Sequence, residues 1–486
     1  MAEHPLQRNP GVVTPACLAW LLGISAALRL GFIAVADLDL IGDEAYYWDW
    51  SRRLDFGYYS KPPMVAWIIA ALTSVFGGTT FTVRLPAVLL GTLTGFLLYQ
   101  TGRRYFNRQT GLIALLLWWA TPASAIYQFI MSIDPPLLLF WVMALYFCHA
   151  ALFEHRASGW FWAGLACGLA LLSKPVALVL PLAALLFIAL QPACRPSWRH
   201  LLWFVLPMAV LVTPNLLWNA SHDWIMFQHA SSHFQDENFD LVDRIKTFFG
   251  FVGLQTLLWS PVIGFSALVL TVRLLAGWRQ LDAKQQWLML VGPLAMLFMT
   301  LLALRQKVEG NWPIPFYFGG LLLLAHHLSL VRVKWALATG FSLVLLAYSL
   351  PLTISVLGLT GTRLDPLARL RGWQALAAEV QIVREQKGLT EVYVDAHRYL
   401  ASELAFYLPD QPKVFRYSHS GRIESQYELW PKPEAGSKML LITPQPPESL
   451  DASLSERLSL PHPLTELLFL PGQRQSRRLY LYQILN

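Results

Sequence analysis

The sequence predicts a polytopic α-helical membrane protein with a small C-terminal α/β domain outside the cytoplasm, on three observations. Of the 486 residues, 55% are hydrophobic and only 14% are charged, against about 25% charged residues in soluble domains. Apolar runs of membrane-spanning length follow one another as far as residue 357. Charge density then rises, because residues 1–364 hold 39 charged side chains whereas residues 365–486 alone hold 28. This composition excludes a water-soluble enzyme of ordinary domains and a disordered chain.

The spans are predicted from runs of apolar residues long enough to cross a bilayer. A shorter run, 62–78, is expected to lie at the membrane interface or to dip into it. The first run is expected to be retained as a span rather than removed as a leader. About eleven spans are predicted, with thirteen as the upper limit: 12–36, 81–101, 111–130, 135–152, 159–173, 176–190, 201–218, 247–272, 286–304, 312–328 and 335–357.

The orientation of these spans follows from the basic loops. When the N-terminus is placed in the cytoplasm, each predicted cytoplasmic loop carries Lys or Arg, as orientation by positive charge requires. These loops are 102–110, 154–156, 194–200, 273–284 and 332–334. The net charge of +7 is explained by this bias, so nucleic acid is not an expected partner. A bacterial inner-membrane protein with an external C-terminal domain is predicted.

Two domains are predicted, a membrane domain over 1–357 and an external α/β domain over 358–486. Within the second, 372–386 has helical spacing of apolar residues, and 392–394, 439–442 and 480–482 are typical of short strands. The first domain is expected to be catalytic and to include interfacial helices in its external loop 37–80.

The first external loop concentrates ionisable residues in a chain that has few. Asp43 and Glu44 open a predicted amphipathic helix, and Lys61 stands before two prolines. An adjacent acid pair can act as general base toward a hydroxyl, and a lysine offers a point charge to a phosphate. Acids at a helix start also simply complement the helix dipole. Tyr58 and Tyr59, next to Lys61, are assigned to substrate binding.

Further charges are predicted on the same side of the membrane. Asp134 opens one span, Arg84 lies at the outer end of another, and Lys174 occupies an outer turn. A helix N-cap would also account for Asp134, and a lysine at a helix end often only extends its charge toward the interface. Two acidic sites and three cations on one side nevertheless favour a site for a polyanionic ligand.

The external turn that follows the ninth predicted span is the last candidate. It contains Lys307, Asn311 and Trp312, a polar and aromatic combination suited to binding substrate. Trp312 would also suit the aromatic belt at a membrane interface. These three residues are assigned to substrate binding.

These motifs, in this order and on this side, resemble those of bacterial GT-C glycosyltransferases. The resemblance is to the dolichyl-phosphate-mannose protein mannosyltransferase-like set, glycosyltransferase family 39, which is similar to the lipid A aminoarabinose transferases. It covers most of the chain. The residues that carry it are Asp43–Glu44, Lys61-Pro62-Pro63, Arg84-Leu85-Pro86, Asp134-Pro135-Pro136-Leu137, Ser173-Lys174-Pro175, Gly310-Asn311-Trp312-Pro313, Glu403–Tyr407 and Gln426–Trp430.

The resemblance implies a GT-C fold and an enzyme that takes a sugar from a polyprenyl-phosphate carrier outside the cytoplasm. Asp43 matches the family's catalytic acid, Glu44 its neighbour and Asp134 the second acidic position. Lys61 and Arg84 match positions that bind the carrier phosphate or shape the site. Lys174 matches a recurrent lysine and is assigned to the donor phosphate with them. The eukaryotic mannosyltransferases commonly have histidine before the paired prolines. This chain has Lys61 there, and the aminoarabinose transferases also have a lysine.

The expected reaction is inverting transfer of the sugar to a hydroxyl or phosphate of an envelope acceptor such as lipid A, lipopolysaccharide core or another glycan. A lipid phosphate leaves readily, so the site needs cations and a base. No cofactor is expected, and a divalent cation is left open. The alternative is an enzyme like the protein O-mannosyltransferases, in which the acceptor is a protein. A transporter is less favoured, because transporters place charges near mid-membrane, and a non-catalytic scaffold less still. The sequence gives no indication of oligomeric state.

Overall fold

The computed structural model describes residues 14–232, 240–360, 362, 364–469 and 477–485. Up to residue 356, the structure is helical. In chain order the helices are α1 (Pro15–Val35), α2 (Gly42–Ser51), α3 (Met64–Phe76), α4 (Thr80–Tyr105), α5 (Arg108–Trp119), α6 (Pro122–Tyr127), α7 (Asp134–Leu152), α8 (Ala157–Ser173), α9 (Val179–Leu190), α10 (Trp198–Ser221), α11 (Ile225–Ser232), α12 (Leu241–Trp259), α13 (Pro261–Ala276), α14 (Ala283–Met289), α15 (Ala295–Leu302), α16 (Tyr317–His327) and α17 (Leu330–Val356).

Six of the described helices are long and apolar enough to cross a membrane: α1, α4, α7, α10, the continuous stretch Ala283–Leu302 and α17. The chain is therefore an integral membrane protein with at least six apolar spans. Shorter apolar helices, among them α8 and α16, fall at other predicted spans. The predicted count of eleven includes such helices and stays a prediction.

The predicted span 247–272 is wrong in one respect, because the chain breaks within it. Helices α12 and α13 meet at an angle of 109°. Between them Ser260 has a φ of 71°, in the left-handed region that interrupts an α-helix. The next residue, Pro261, has no N–H to continue the hydrogen-bond ladder. Apolar composition is the same on both sides of the break, so hydropathy does not detect it.

The C-terminal part mixes helices with one mixed five-stranded sheet. The strands have the order β2-β1-β3-β5-β4, with β2, β1 and β3 parallel and β5 and β4 antiparallel. Apolar side chains on one face, such as Met439, Leu441 and Ile484, form its core. The elements are α18 (Trp373–Lys387), β1 (Glu391–Val394), α19 (Arg398–Tyr407), β2 (Val414–Arg416), α20 (Gln426–Leu429), β3 (Lys438–Thr443), α21 (Ala452–Ser455), β4 (Thr465–Phe469) and β5 (Arg477–Leu485).

The described residues pack as two compact units. The first unit lies within 1–32, 61–64 and 85–348, and its apolar core includes the fully buried Trp118, Trp141 and Trp287. The second unit lies within 33–60, 65–84 and 349–486. It contains the sheet and also helix α2, which the chain reaches more than 300 residues earlier. The predicted domain boundary at 357 stays a prediction.

Candidate active site

Helix α2, in the second unit, carries three carboxylates in very different surroundings. Glu44 Oε2 accepts a hydrogen bond from the backbone N–H of Ile41 at 3.1 Å, which closes the first turn. Glu44 and Asp49 are fully buried, whereas 41% of the Asp43 side chain is exposed. Of the three acids on this helix, Asp43 is therefore the one that a substrate can reach.

Glu44 is occupied by Arg84. The Nη2 of Arg84 lies 2.8 Å from Glu44 Oε2, and its Nε lies 3.1 Å from Oε1. The same guanidinium donates to the carbonyls of Leu38 and Asp39 at 2.8 and 2.7 Å. Arg84 is 1% exposed. The Glu44–Arg84 pair therefore fixes the start of α2. The assignments of Glu44 to catalysis and of Arg84 to binding the donor phosphate stay predictions.

Asp49 anchors the other end of α2. Its Oδ2 accepts a hydrogen bond from the hydroxyl of Tyr427 at 2.9 Å, and Arg52 approaches Oδ1 at 3.3 Å. Burial raises the pKa of the Asp49 carboxyl. Nearby, the hydroxyl of Tyr46 accepts from the backbone N–H of Gln426 at 2.6 Å. Helix α2 is thus tied along its length to the C-terminal region of the same unit.

Asp43 is approached by two residues of α19. The hydroxyl of Tyr399 donates to Asp43 Oδ1 at 3.1 Å, and Arg398 Nη2 lies 3.9 Å from the same oxygen. The described part of the chain offers no hydrogen bond to Oδ2 of Asp43. Burial and the Asp43 charge raise the pKa of Tyr399 to about 12, so the phenol stays a hydrogen-bond donor at neutral pH. One oxygen of Asp43 is oriented and the other is left for a substrate.

This contact requires a glycine before Asp43. A Cβ on Gly42 would lie 2.3 Å from Cγ of Tyr399, far inside the sum of the atomic radii. The aromatic ring therefore lies directly on the backbone of α2. Ser402, one turn further along α19, donates to the carbonyl of Gly42 at 3.3 Å.

The two predicted substrate-binding tyrosines lie in the second unit. Tyr58 is fully buried and stacks on Trp50, with ring centroids 4.4 Å apart and planes 9° apart. Its hydroxyl donates to the carbonyl of Arg53 at 3.1 Å. Tyr59 is partly buried, and its backbone N–H donates to Gln426 Oε1 at 2.7 Å. Tyr58 thus has a packing role, and the substrate-binding assignments stay predictions.

In the first unit, three separately predicted residues meet in one buried cluster. Asp134 begins α7, and its Oδ1 lies 2.8 Å from Nζ of Lys174. Its Oδ2 accepts from Nδ2 of Asn311 at 3.0 Å, and Lys174 also donates to the Asn311 carbonyl at 3.3 Å. Asp134 is 1% exposed. Because the Asp134 carboxylate bonds to Lys174 and Asn311, a helix N-cap does not explain this residue. The cluster fixes the beginning of α7 and the end of α8.

The remaining predicted residues of the first unit have different surroundings. Lys307 is largely exposed and pairs with Glu309 at 2.9 Å, an arrangement that stabilises little at a surface. Trp312 packs against the apolar core of the unit. Lys61 is partly buried just before α3. Their roles in binding donor or substrate stay predictions.

Three residues around α2 were not predicted as site residues: Arg398, Tyr399 and Glu403. Glu403 lies on α19 in the interior, and neither carboxylate oxygen has a hydrogen-bond partner among the described residues. Burial, with the charges of Asp39 and Glu44, raises the pKa of Glu403 well above its usual range. The only signal in the sequence was the Glu403–Tyr407 motif; Arg398 and Tyr399 precede it and stand in no recognisable pattern.

No group of three or more His, Cys, Asp or Glu side chains is placed to hold a metal ion within the described ranges. This observation concerns protein ligands alone. The expectation about cofactors and divalent cations therefore stays an expectation.

An integral membrane fold with a partly exposed carboxylate and buried acid–base pairs suits a membrane-embedded transferase, and similarity to known proteins supports this class. Residues 60–218 match the family model described as dolichyl-phosphate-mannose-protein mannosyltransferase. The chain is 30% identical to the lipid A galacturonosyltransferase RgtD of Rhizobium johnstonii, over 80% of this chain and 82% of that protein. It is 25% identical to the undecaprenyl phosphate-alpha-4-amino-4-deoxy-L-arabinose arabinosyl transferase 2 of Proteus mirabilis, over 58% of this chain and 51% of that protein.

A solved structure shares the fold. ArnT from Cupriavidus metallidurans bound to undecaprenyl phosphate superposes with a TM-score of 0.63 over 97% of this chain and 98% of that one, at 16% identity. The chain belongs to the GT-C family of polyprenyl-phosphate-sugar-dependent glycosyltransferases. The predicted family and fold type are thereby confirmed.

Proposed function

We propose that the protein transfers a sugar from a polyprenyl-phosphate-linked donor to lipid A or a closely related envelope lipid, at the outer face of the bacterial inner membrane. The observation that carries the mechanism is the contrast within α2: Glu44 and Asp49 are buried and paired, whereas Asp43 keeps an accessible oxygen. The likeness to a lipid A galacturonosyltransferase over most of both chains supports the acceptor.

In the proposed reaction Asp43 is the general base. The acceptor oxygen attacks the anomeric carbon of the donor sugar, the bond from that carbon to the phosphate oxygen breaks, and the carrier departs as a phosphate anion. Asp43 takes the proton of the acceptor hydroxyl through its unoccupied oxygen. Because attack and departure lie on opposite faces of the sugar, the anomeric configuration inverts. Tyr399 holds the other carboxylate oxygen, so the base needs no reorientation.

The departing phosphate needs cations to stabilise its charge. Lys61 is proposed to supply one, since it is a partly buried lysine fixed in front of two prolines. Lys174 has a different environment, because its ammonium is already bonded to Asp134 and Asn311. We therefore propose that Lys174 acts by holding the Asp134 cluster together.

Asp43→Asn tests the proposal. We expect the full-length variant, purified in detergent, to lose sugar transfer from a polyprenyl-phosphate donor to lipid A by about 100-fold or more, as measured by mass spectrometry of the lipid product. Its melting temperature and donor affinity are expected to be unchanged.

Asp223→Asn is the matched control, because Asp223 is exposed and asparagine tolerates its left-handed φ of 53°. Normal turnover by Asp43→Asn would refute the assignment of the base. Substrate-dependent transport of the lipid without sugar transfer by the unmodified chain would favour a transporter instead.

A further inference from the structure

Arg398 has hydrogen-bond donors that the described part of the protein does not use. Its side chain is 29% exposed, and its Nη2 donates to the Tyr399 hydroxyl at a long 3.5 Å. The Nε is buried without a partner among the described residues. A guanidinium has five N–H donors, so Arg398 retains most of its capacity.

The surroundings hold this guanidinium in place without neutralising it fully. It lies over the ring of Tyr46, 5.4 Å from the centroid, and over that of Tyr399, 4.9 Å from the centroid. The carboxylate that faces it is Asp43, whose nearer oxygen is 3.9 Å away, beyond hydrogen-bond distance. A buried donor without a hydrogen-bond partner is unfavourable. Such a fixed, unsatisfied arginine is arranged for an oxyanion, which matches its planar fork.

The location of Arg398 indicates which part of the substrate it meets, on the proposed role of Asp43. The base lies about 3 Å from the acceptor hydroxyl, and the hydroxyl about 3 Å from the anomeric carbon. The leaving phosphate is beyond that carbon, on the opposite face of the sugar. Arg398, 3.9 Å from the base, therefore lies on the acceptor side of the reaction rather than beside the departing carrier.

We propose that Arg398, with Tyr399, forms an oxyanion-binding subsite next to Asp43, and that the substrate places a carboxylate or a phosphate ester there. Two sources share this chemistry: the carboxylate of a transferred uronosyl group, or a phosphate of the acceptor lipid. The subsite makes the enzyme selective for a negatively charged substrate. The proposal rests on the proposed function, because it takes Asp43 as the base.

The test compares four substrate pairs with the full-length protein. The donors are a polyprenyl-phosphate-linked galacturonic acid and its neutral galactose counterpart, and the acceptors are phosphorylated and dephosphorylated lipid A. We expect Arg398→Gln to lose about 100-fold in kcat/KM only where the anion is present. A loss confined to the uronosyl donor identifies the carboxylate, and a loss confined to the phosphorylated acceptor identifies the phosphate. Arg398→Lys should recover part of the activity, since it restores charge but not the fork.

If Arg398 had only a structural role, Arg398→Gln would lower transfer equally for all four substrate pairs. That result would overturn the proposal, and so would unchanged kinetics of Arg398→Gln. Arg422→Gln is the control, because Arg422 is exposed. Calorimetric binding of the same donors and acceptors to Asp43→Asn, with and without Arg398→Gln, tests the Arg398 subsite separately from the proposed sugar transfer. If the unmodified protein transfers none of these sugars yet binds the anionic substrates in an Arg398-dependent manner, the proposed function fails and the subsite stands.

Discussion

Arg84→Gln is expected to destabilise the second unit rather than to weaken donor binding. The substitution removes the guanidinium that makes five hydrogen bonds, three to the Glu44 carboxylate and one each to the carbonyls of Leu38 and Asp39. It removes from Glu44, which is 0% exposed, the cation that forms an ion pair with its carboxylate. Breaking a buried pair in this way is unfavourable by about 3–5 kcal/mol. For a unit of this size, that corresponds to a melting temperature lower by roughly 10 °C.

Fluorescence-detected melting of the detergent-solubilised full-length protein measures this effect. Arg156→Gln is the control, because Arg156 pairs with Glu154 at a surface where its side chain is 66% exposed, and such pairs contribute about 1 kcal/mol at most. Replacing both partners, Glu44→Gln with Arg84→Met, should recover part of the loss, since no buried charge remains. An unchanged melting temperature with a raised KM for the donor would refute the reasoning and would support Arg84 as a phosphate-binding residue.

Two further predictions concern the contact of α19 with α2. Gly42→Ala places a Cβ 2.3 Å from the Tyr399 ring, so we expect the unfolding free energy to fall by about 1–3 kcal/mol and sugar transfer to decrease. Gly31→Ala is the control and should change neither, because nothing lies within 4 Å of its added Cβ. Equal activity of the two variants would contradict the contact. Glu403 has its pKa raised by burial, so the folded protein holds a proton that the unfolded chain releases near pH 4.3. The unfolding free energy should therefore fall as pH rises above that value. Glu403→Gln should remove this part of the pH dependence; the same dependence of melting temperature on pH in both proteins would contradict the prediction.

Much of the fold could be predicted because membrane helices and buried strands leave strong patterns. The predicted helix 372–386 corresponds to α18, and the predicted strands 392–394, 439–442 and 480–482 lie within β1, β3 and β5. The short strands β2 and β4 were not predicted. A strand of three residues such as β2 is too short for alternation to register, and it is formed by its pairing with β1.

The acidic residues of the candidate site could be predicted from the sequence, but the residues that bond to them could not. Asp43 and Glu44 are adjacent and chemically alike, so the sequence does not indicate which one is buried. That choice is made by Arg84, 40 residues away, and by Tyr399, 356 residues away. Arg398 has no periodic or motif signal, because its role depends on where α19 packs. In the first unit, Asp134, Lys174 and Asn311 were each predicted, and the structure adds that they bond to one another.

The hydrogen bonds that hold α2 have a consequence for how the protein is made. Asp43, Tyr46 and Asp49 bond to residues 356 to 380 positions further along the chain. A ribosome extends the chain by about 5–20 residues per second, so the candidate base Asp43 stays without its partner Tyr399 until that residue has been synthesised and α19 has packed on α2. Asp49, on the same helix, waits until Tyr427 has been synthesised. A partly inserted chain therefore has no oriented Asp43, and sugar transfer begins only after translation of the C-terminal region. Shortened chains that keep every apolar span should accumulate in the membrane as inactive protein.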